Sequence, residues 1–210
     1  KAFGDSIKGE INIRTINLSI ATYVRSLSSF NSVFDQYIRG EIKKIDEDII
    51  AGFNLFMGKA ACATCHFAPV FNGLVPPFYS ENESEIIGVP GDDGNLDKDE
   101  GRFYFQSSPF FKYSFKTMTV RNIEYSAPYM HNGVFNTLEE VIDFYNKGGG
   151  IGMGYRVDNQ TLPSEPLELS GMEIKQLKKF MLSLSDTLGF NKIPDRLPYF
   201  DKDSSLNKRF

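Results

Sequence analysis

The chain has 210 residues, a formal net charge of -4, 41% hydrophobic and 24% charged residues, two cysteines and two histidines. These are the proportions of an ordinary folded protein and not of a disordered one, and a net negative charge without basic runs argues against a nucleic-acid partner. No apolar stretch reaches the length of a membrane span. The first residues also lack the charged, apolar and small-residue series of a signal peptide, so a chain that starts at Lys1 reads as a mature or excised piece.

Ile13, Ile16, Ile20, Tyr23, Val24 and Leu27 recur at intervals of three and four, one apolar stripe of a first helix that should end in residues 28–32. A second helix is expected from about Asp46 to Met57. Asp46, Glu47 and Asp48 lie near its positive end, and Ile49, Ile50, Phe53 and Phe56 form its buried face. Gly58 should stop it.

Cys62-Ala63-Thr64-Cys65-His66 follows at once. Two thiols at this spacing can add across the two vinyl groups of one porphyrin, and the His after the second Cys then lies under the iron as proximal ligand. A zinc site would need further ligands, but there is no second Cys pair and the only other His is His131. A thioredoxin-like pair would need alternating strands and helices, whereas this motif has a helix before it and a long loop after it. The reading is therefore one covalent haem c. Both cysteines are consumed by it, and thioether formation places the protein in the periplasm or another exported location.

From Phe67 to about Thr119 the sequence is rich in Pro, Gly, Asn and aromatics, an unusually long loop for a compact domain. A haem explains it as a large apolar element around which Phe103, Phe105, Phe110, Phe111 and Phe115 are expected to pack. The acidic run from Asp92 to Glu100 has calcium-ligand residue types without EF-hand spacing, and reads as a solvated turn. A third helix should begin after Thr137, with Glu140 completing a capping box. Leu138, Val141, Ile142 and Tyr145 share its inner face, and Gly148-Gly149-Gly150 ends it. Ser170 and Glu173 open a fourth helix in the same way, with Ile174, Leu177, Met181 and Leu184 on its apolar side.

Thr117-Met118-Thr119-Val120-Arg121-Asn122, Ala127-Pro128-Tyr129-Met130-His131-Asn132-Gly133 and Thr137-Leu138-Glu139-Glu140-Val141 together resemble the C-terminal half of bacterial dihaem cytochrome c peroxidases. The related enzyme that matures methylamine dehydrogenase looks similar there too. Gly52 to Phe56 and the first helix also fit, so the resemblance extends over about residues 12–186. It implies an all-α, cytochrome c-like domain over residues 1–189, followed by a surface tail over 190–210, with an early helix and a late one packed together. It also implies an electron-accepting role. Electrons from a small donor, a cytochrome c or a cupredoxin, would pass to a peroxide-reducing haem in an N-terminal domain that this chain does not contain. Hydrogen peroxide is then the substrate of the full-length protein, and the isolated chain should be inactive. A monohaem electron carrier and a maturation-type oxidase are the alternatives, and a homodimer is left open.

The same resemblance places an axial Met or Tyr on the helix after His131, and that position here is Tyr145, with Met130 and Met153 as alternatives. His131 is expected beside the haem more than on its iron. Arg121 is expected either against a haem propionate or in an ordinary surface salt bridge. The backbone carbonyls of Ser126 and Pro128 would contribute to a calcium site completed by the other half.

Overall fold

The computed structural model describes residues 11–27 and 29–186. The chain divides into two compact units, Phe30–Asp186 and a second formed by Lys1–Ser29 with Thr187–Phe210. The tail expected over 190–210 lies outside the described residues. In the second unit α1 spans Ile13–Ser26. Asn12 caps it, with Thr15 closing a reciprocal capping box.

In the larger unit α2 covers Val33–Ile38, α3 Glu47–Met57, α4 Leu138–Asn146, α5 Gly149–Gly152 and α6 Gly171–Leu182. The last two long helices start where their capping boxes predict, at Thr137 with Glu140 and at Ser170 with Glu173. α3 likewise starts at Asp46 and stops at Gly58. The reading of the sequence had no counterpart for α2. Its signal was present in Ser32 and Asp35, which form a capping box of the same kind.

The unit is mostly helical with few strands, which corrects the all-α expectation. Ser84–Glu85, β1, and Phe115–Lys116, β2, pair antiparallel with Ser84 opposite Lys116 and Glu85 opposite Phe115. Two strand segments this short gain little from side-chain packing alone. Backbone bonds to the loop after the motif hold them in place: Glu83 N donates to Gly73 O at 2.8 Å, and Gly73 N to Thr117 O at 3.2 Å.

The packed pair of helices is α3 with α6. At their crossing Gly52 lies against the backbone of α6, where an added Cβ would come within 2.0 Å of Gln176 O. Five phenylalanines fill the space around that crossing: Phe34, Phe53, Phe56, Phe71 and Phe180, in tilted and edge-on contacts with ring centroids 5.0 to 5.7 Å apart. Offset and edge-on rings gain about 0.5–1.5 kcal/mol per pair beyond their buried area. Phe56 and Phe180 are 1% and 0% exposed, so this cluster is the centre of the core. Phe71 belongs to the loop and not to a helix. It therefore anchors the segment after the motif to the helical core.

Candidate functional site

α3 delivers the Cys62–His66 motif directly. After Gly58, Ala60 N donates back to Leu55 O at 2.9 Å, and Ala61 adopts a left-handed conformation that turns the chain into a 3-10 turn over Cys62–Thr64. Cys65 N and His66 N both donate to Cys62 O, at 3.3 and 2.9 Å, which places the three functional side chains on one tight turn. Both cysteines are free thiols. Burial pushes the Cys62 thiol up to about 12, and burial followed by the Glu85 charge raises that of Cys65.

His66 packs against Phe56, with ring centroids 6.3 Å apart, and its Nδ1 lies 3.3 Å from the carbonyl of Phe71. A carbonyl can only accept, so Nδ1 carries the proton and the Nε2 lone pair is free to bind a metal. Burial lowers the imidazole pKa against the opposing pull of the Phe71 and Met118 carbonyls, so the ring favours the neutral form that ligation needs. Behind this loop Arg121 is 8% exposed and forks onto Asp35 at 2.8 and 2.9 Å. It also donates to Pro69 O at 3.0 and 2.8 Å and lies over the ring of Phe30. The sequence offered a propionate contact or a surface salt bridge for Arg121. Its salt bridge is a buried one and not a surface one, and it ties α2 to the loop beneath His66.

Tyr145, on the last turn of α4, is half-buried; its carbonyl accepts from Gly148 N at 3.0 Å, and its phenol makes no hydrogen bond to a described residue. Its ring packs edge-on against Phe144 at 5.5 Å. Burial raises its phenol pKa strongly, and the charges of Cys62, Cys65 and Glu85 raise it further. The phenol thus shares one electrostatic environment with both thiols. α5, which follows α4, is held by close backbone contact: Gly150 N donates to Ile87 O at 2.8 Å, and a Cβ on Gly150 would fall 2.5 Å from Gly88 O.

The other candidates lie elsewhere. His131 stacks on Phe115, with centroids 3.6 Å apart and planes at 10°, and its Nε2 is 3.5 Å from Asp97 Oδ2. Asp97 also accepts from the Asn132 amide. Met130 is half-buried in a loop, and Met153 is 39% exposed where α5 ends. Ser126 is exposed, with its hydroxyl donating to Ile123 O at 3.0 Å, and Pro128 is exposed too. The acidic run is a series of side-chain turns, in which Asp93, Asp97 and Asp99 each accept from the backbone N–H two residues on. Among the described residues no cluster of three or more His, Cys, Asp or Glu could hold a metal ion.

In the aromatic loop Phe105 and Phe110 are 93% and 81% exposed, with no packing against the protein core. The short 3-10 turns over Arg102–Tyr104 and Pro109–Phe111 commit Phe111 to the Arg102 guanidinium at 4.2 Å, while β2 commits Phe115 to His131. An open cavity of about 860 Å³ lies beside this ribbon, lined by Ser84, Arg102, Tyr104, Phe105 and Phe115 and apart from the motif.

Two thiols on one turn, a neutral imidazole with its Nε2 lone pair available and a half-buried phenol with no hydrogen-bond partner among the described residues make a donor set that fits a covalently attached haem, which defines the class as a haem c-binding redox domain. No family model matches the sequence. It is 32% identical over 195 residues to a cytochrome-c peroxidase, IdrP2, of Denitromonas iodatirespirans, covering 85% of this chain and 50% of that protein. It is 33% identical over 183 residues to the methylamine utilization protein MauG of Methylorubrum extorquens, covering 87% and 47%. The crystal structure of a MauG-like protein associated with microbial copper homeostasis superposes with a TM-score of 0.68 at 27% identity, over 90% of this chain and 62% of that one. The chain belongs to the bacterial dihaem cytochrome c peroxidase and MauG family. It spans about half the length of the curated relatives it matches. Among the described residues no helix is long and apolar enough to cross a membrane.

Proposed function

We propose that this chain is the electron-accepting, cytochrome c-like half of a periplasmic dihaem peroxidase, a domain over residues 1–189 with 190–210 as a surface tail. Cys62 and Cys65 carry one haem c, His66 is its proximal ligand through Nε2, and Tyr145 is its distal ligand. The observation that carries this reading is the arrangement around the motif: Cys62, Cys65 and His66 share one tight turn, and the Phe71 carbonyl fixes the His66 proton on Nδ1 so that Nε2 keeps its lone pair. When bound, the haem supplies one-electron chemistry at iron.

The residues of the chain then have distinct tasks. Phe71 and Arg121 orient the proximal loop, and His66 Nε2 with the phenol of Tyr145 would hold the haem iron, leaving peroxide chemistry to the other half. Hydrogen peroxide is reduced at a second haem in the N-terminal domain, with electrons entering from a cytochrome c or a cupredoxin. The isolated chain is accordingly inactive. The carbonyls of Ser126 and Pro128 contribute to a calcium site that the other half completes, and His131 remains beside the haem.

Chain matured in a periplasm with the cytochrome c assembly machinery should keep its haem through acid and organic extraction. Loss of all haem in that treatment overturns the reading. Tyr145→Phe should change the ferric spectrum and raise the potential while keeping the fold. A thioether-to-iron charge-transfer band that disappears when Met130 or Met153 is replaced would move the distal ligand to that methionine. A tyrosine at this position, together with the MauG relatives, favours a second reading as part of a maturation-type oxidase, which the full-length protein would show by oxidising a protein side chain at a distance. A gene without a second C-x-x-C-H upstream of Lys1 would instead leave a monohaem carrier.

A further inference from the structure

Three consecutive carbonyls of the loop after the motif are each held by one of three consecutive residues further along the chain. The Arg121 guanidinium donates to Pro69 O from Nε at 3.0 Å and from Nη2 at 2.8 Å, the Thr119 hydroxyl donates to Val70 O at 2.7 Å, and Val120 N donates to Phe71 O at 2.9 Å. The same Thr119 hydroxyl accepts from Arg121 N at 3.1 Å, which ties two grips of this clamp to each other. The clamp is itself fixed from behind. Val120 is 4% exposed and belongs to the hydrophobic core, and Arg121 is forked onto Asp35.

What the clamp holds is a strained residue. Phe71 has a φ of 53°, a left-handed conformation that a bulky side chain enters only where its surroundings impose it. Its ring is buried in edge-on contact with Phe56 and Phe180, while its carbonyl lies 3.3 Å from His66 Nδ1. The core therefore fixes the ring, and the bonds at residues 69–71 fix the backbone that carries the carbonyl. Loosening those bonds lets the strained turn relax and the carbonyl leave the imidazole. The hydrogen bond at one ring nitrogen decides which nitrogen of a neutral imidazole holds the proton, and a bond at Nδ1 makes Nε2 the more basic ligand.

We propose that Thr119 is a positioning residue for the proximal ligand: with Val120 and Arg121 it clamps residues 69–71 so that the Phe71 carbonyl keeps the His66 proton on Nδ1 and strengthens Nε2 as a donor. This rests on the haem reading above. A more basic Nε2 favours oxidised iron, so the clamp lowers the reduction potential.

The test uses the haem-loaded full chain as wild type, Thr119→Val, Thr119→Ser and Ser185→Ala, the last removing a hydroxyl bond to Glu124 that takes no part in the clamp. Two quantities are read, the solvent exchange of the His66 Nδ1 proton by NMR and the midpoint potential. Thr119→Val should speed the exchange about fivefold, the weight of one ordinary hydrogen bond in an opening equilibrium, and should raise the midpoint. Thr119→Ser, which keeps the hydroxyl, should restore both, and Ser185→Ala should change neither. Thr119→Ala is read in the same way if the valine chain does not fold. Either quantity unchanged on loss of the hydroxyl, with covalent haem intact, overturns the proposal and leaves the haem reading standing. The same changes in Ser185→Ala also overturn it, because they would then follow from any lost surface bond. A chain that takes up no haem overturns the haem reading itself. The clamp is then judged on haem-free chain from the nitrogen-15 shifts of the His66 ring. The wild type should carry the proton on Nδ1 and Thr119→Val should move part of it to Nε2, and identical shifts in the two chains refute the clamp.

Discussion

The α3–α6 crossing and the long segment from Phe67 to Asn136 are built by opposite means. At the crossing, apolar side chains exclude water: five phenylalanines interlock and Gly52 lets the two backbones touch. In the long segment the chain is held by hydrogen bonds within short turns, and large aromatics such as Tyr104, Phe105 and Phe110 face solvent. The contrast teaches that the helical pair is the centre of a core to which the loop is fastened at a few points. Phe71, through its ring and its carbonyl, is where the two kinds of structure meet.

Gly52→Val attacks the first kind and should have the largest effect. Its side chain would have to occupy space held by the Gln176 backbone and Phe180 Cβ, which no rotamer change relieves. The expected result is loss of cooperative unfolding, or a destabilisation above about 3 kcal/mol, measured by denaturant titration followed by circular dichroism. A mild effect would show that the core is not tightly packed there.

Arg121→Ala cuts the link between the two regions and should cost about 3–5 kcal/mol, because Asp35 would remain largely buried without its partner. The same pair predicts a pH effect. Burial alone would raise the Asp35 carboxyl, but hydrogen bonds from Arg121 and Ser32 and the Arg121 charge outweigh it and hold the pKa below its ordinary 3.8. A depressed acid stabilises the fold above its unfolded value and loses that contribution as pH falls through the folded one. Stability should therefore fall on acidification below about pH 3.8, and Arg121→Ala should flatten that limb. Glu173 adds to it at the surface: the Lys59 ammonium and the Ser170 cap hold its carboxyl down at about 2. Lys59→Ala should remove only a small part of the acid limb.

Phe115→Ala removes a single stacked partner of His131 in the loop region, and about 0.5–1.5 kcal/mol is expected from the lost ring contact. The smallest perturbation needs no mutation. Amide hydrogen exchange should protect α3 and α6 far more than residues 92–100, whose bonds are local and solvent-facing. Equal protection would erase the distinction between the two regions.

The helix boundaries were legible because their determinants are local. A capping Thr137 or Ser170, an acid three residues on and an apolar stripe specify a start, a phase and a buried face without reference to the rest of the chain. The attachment motif was legible for the same reason, since its chemistry depends on spacing along five consecutive residues. The α2 helix was equally local, but its six residues were too few for periodicity to declare them.

What lay far apart in sequence had to wait for the folded chain. Arg121 meets Asp35 across 86 residues, and nothing near either one names the other. The direction in which Phe105, Phe110 and Phe115 point follows from how short turns and a two-residue ribbon are anchored, which aromatic composition alone does not encode. By itself the sequence determined where the Cys-x-x-Cys-His turn lies and where the long helices begin, because hydrogen-bond caps, periodicity and residue spacing act over a few residues. Only the tertiary structure decided which charges are paired, which rings are buried and what surrounds the motif, because burial and Coulomb energy depend on distances in space that no local pattern encodes.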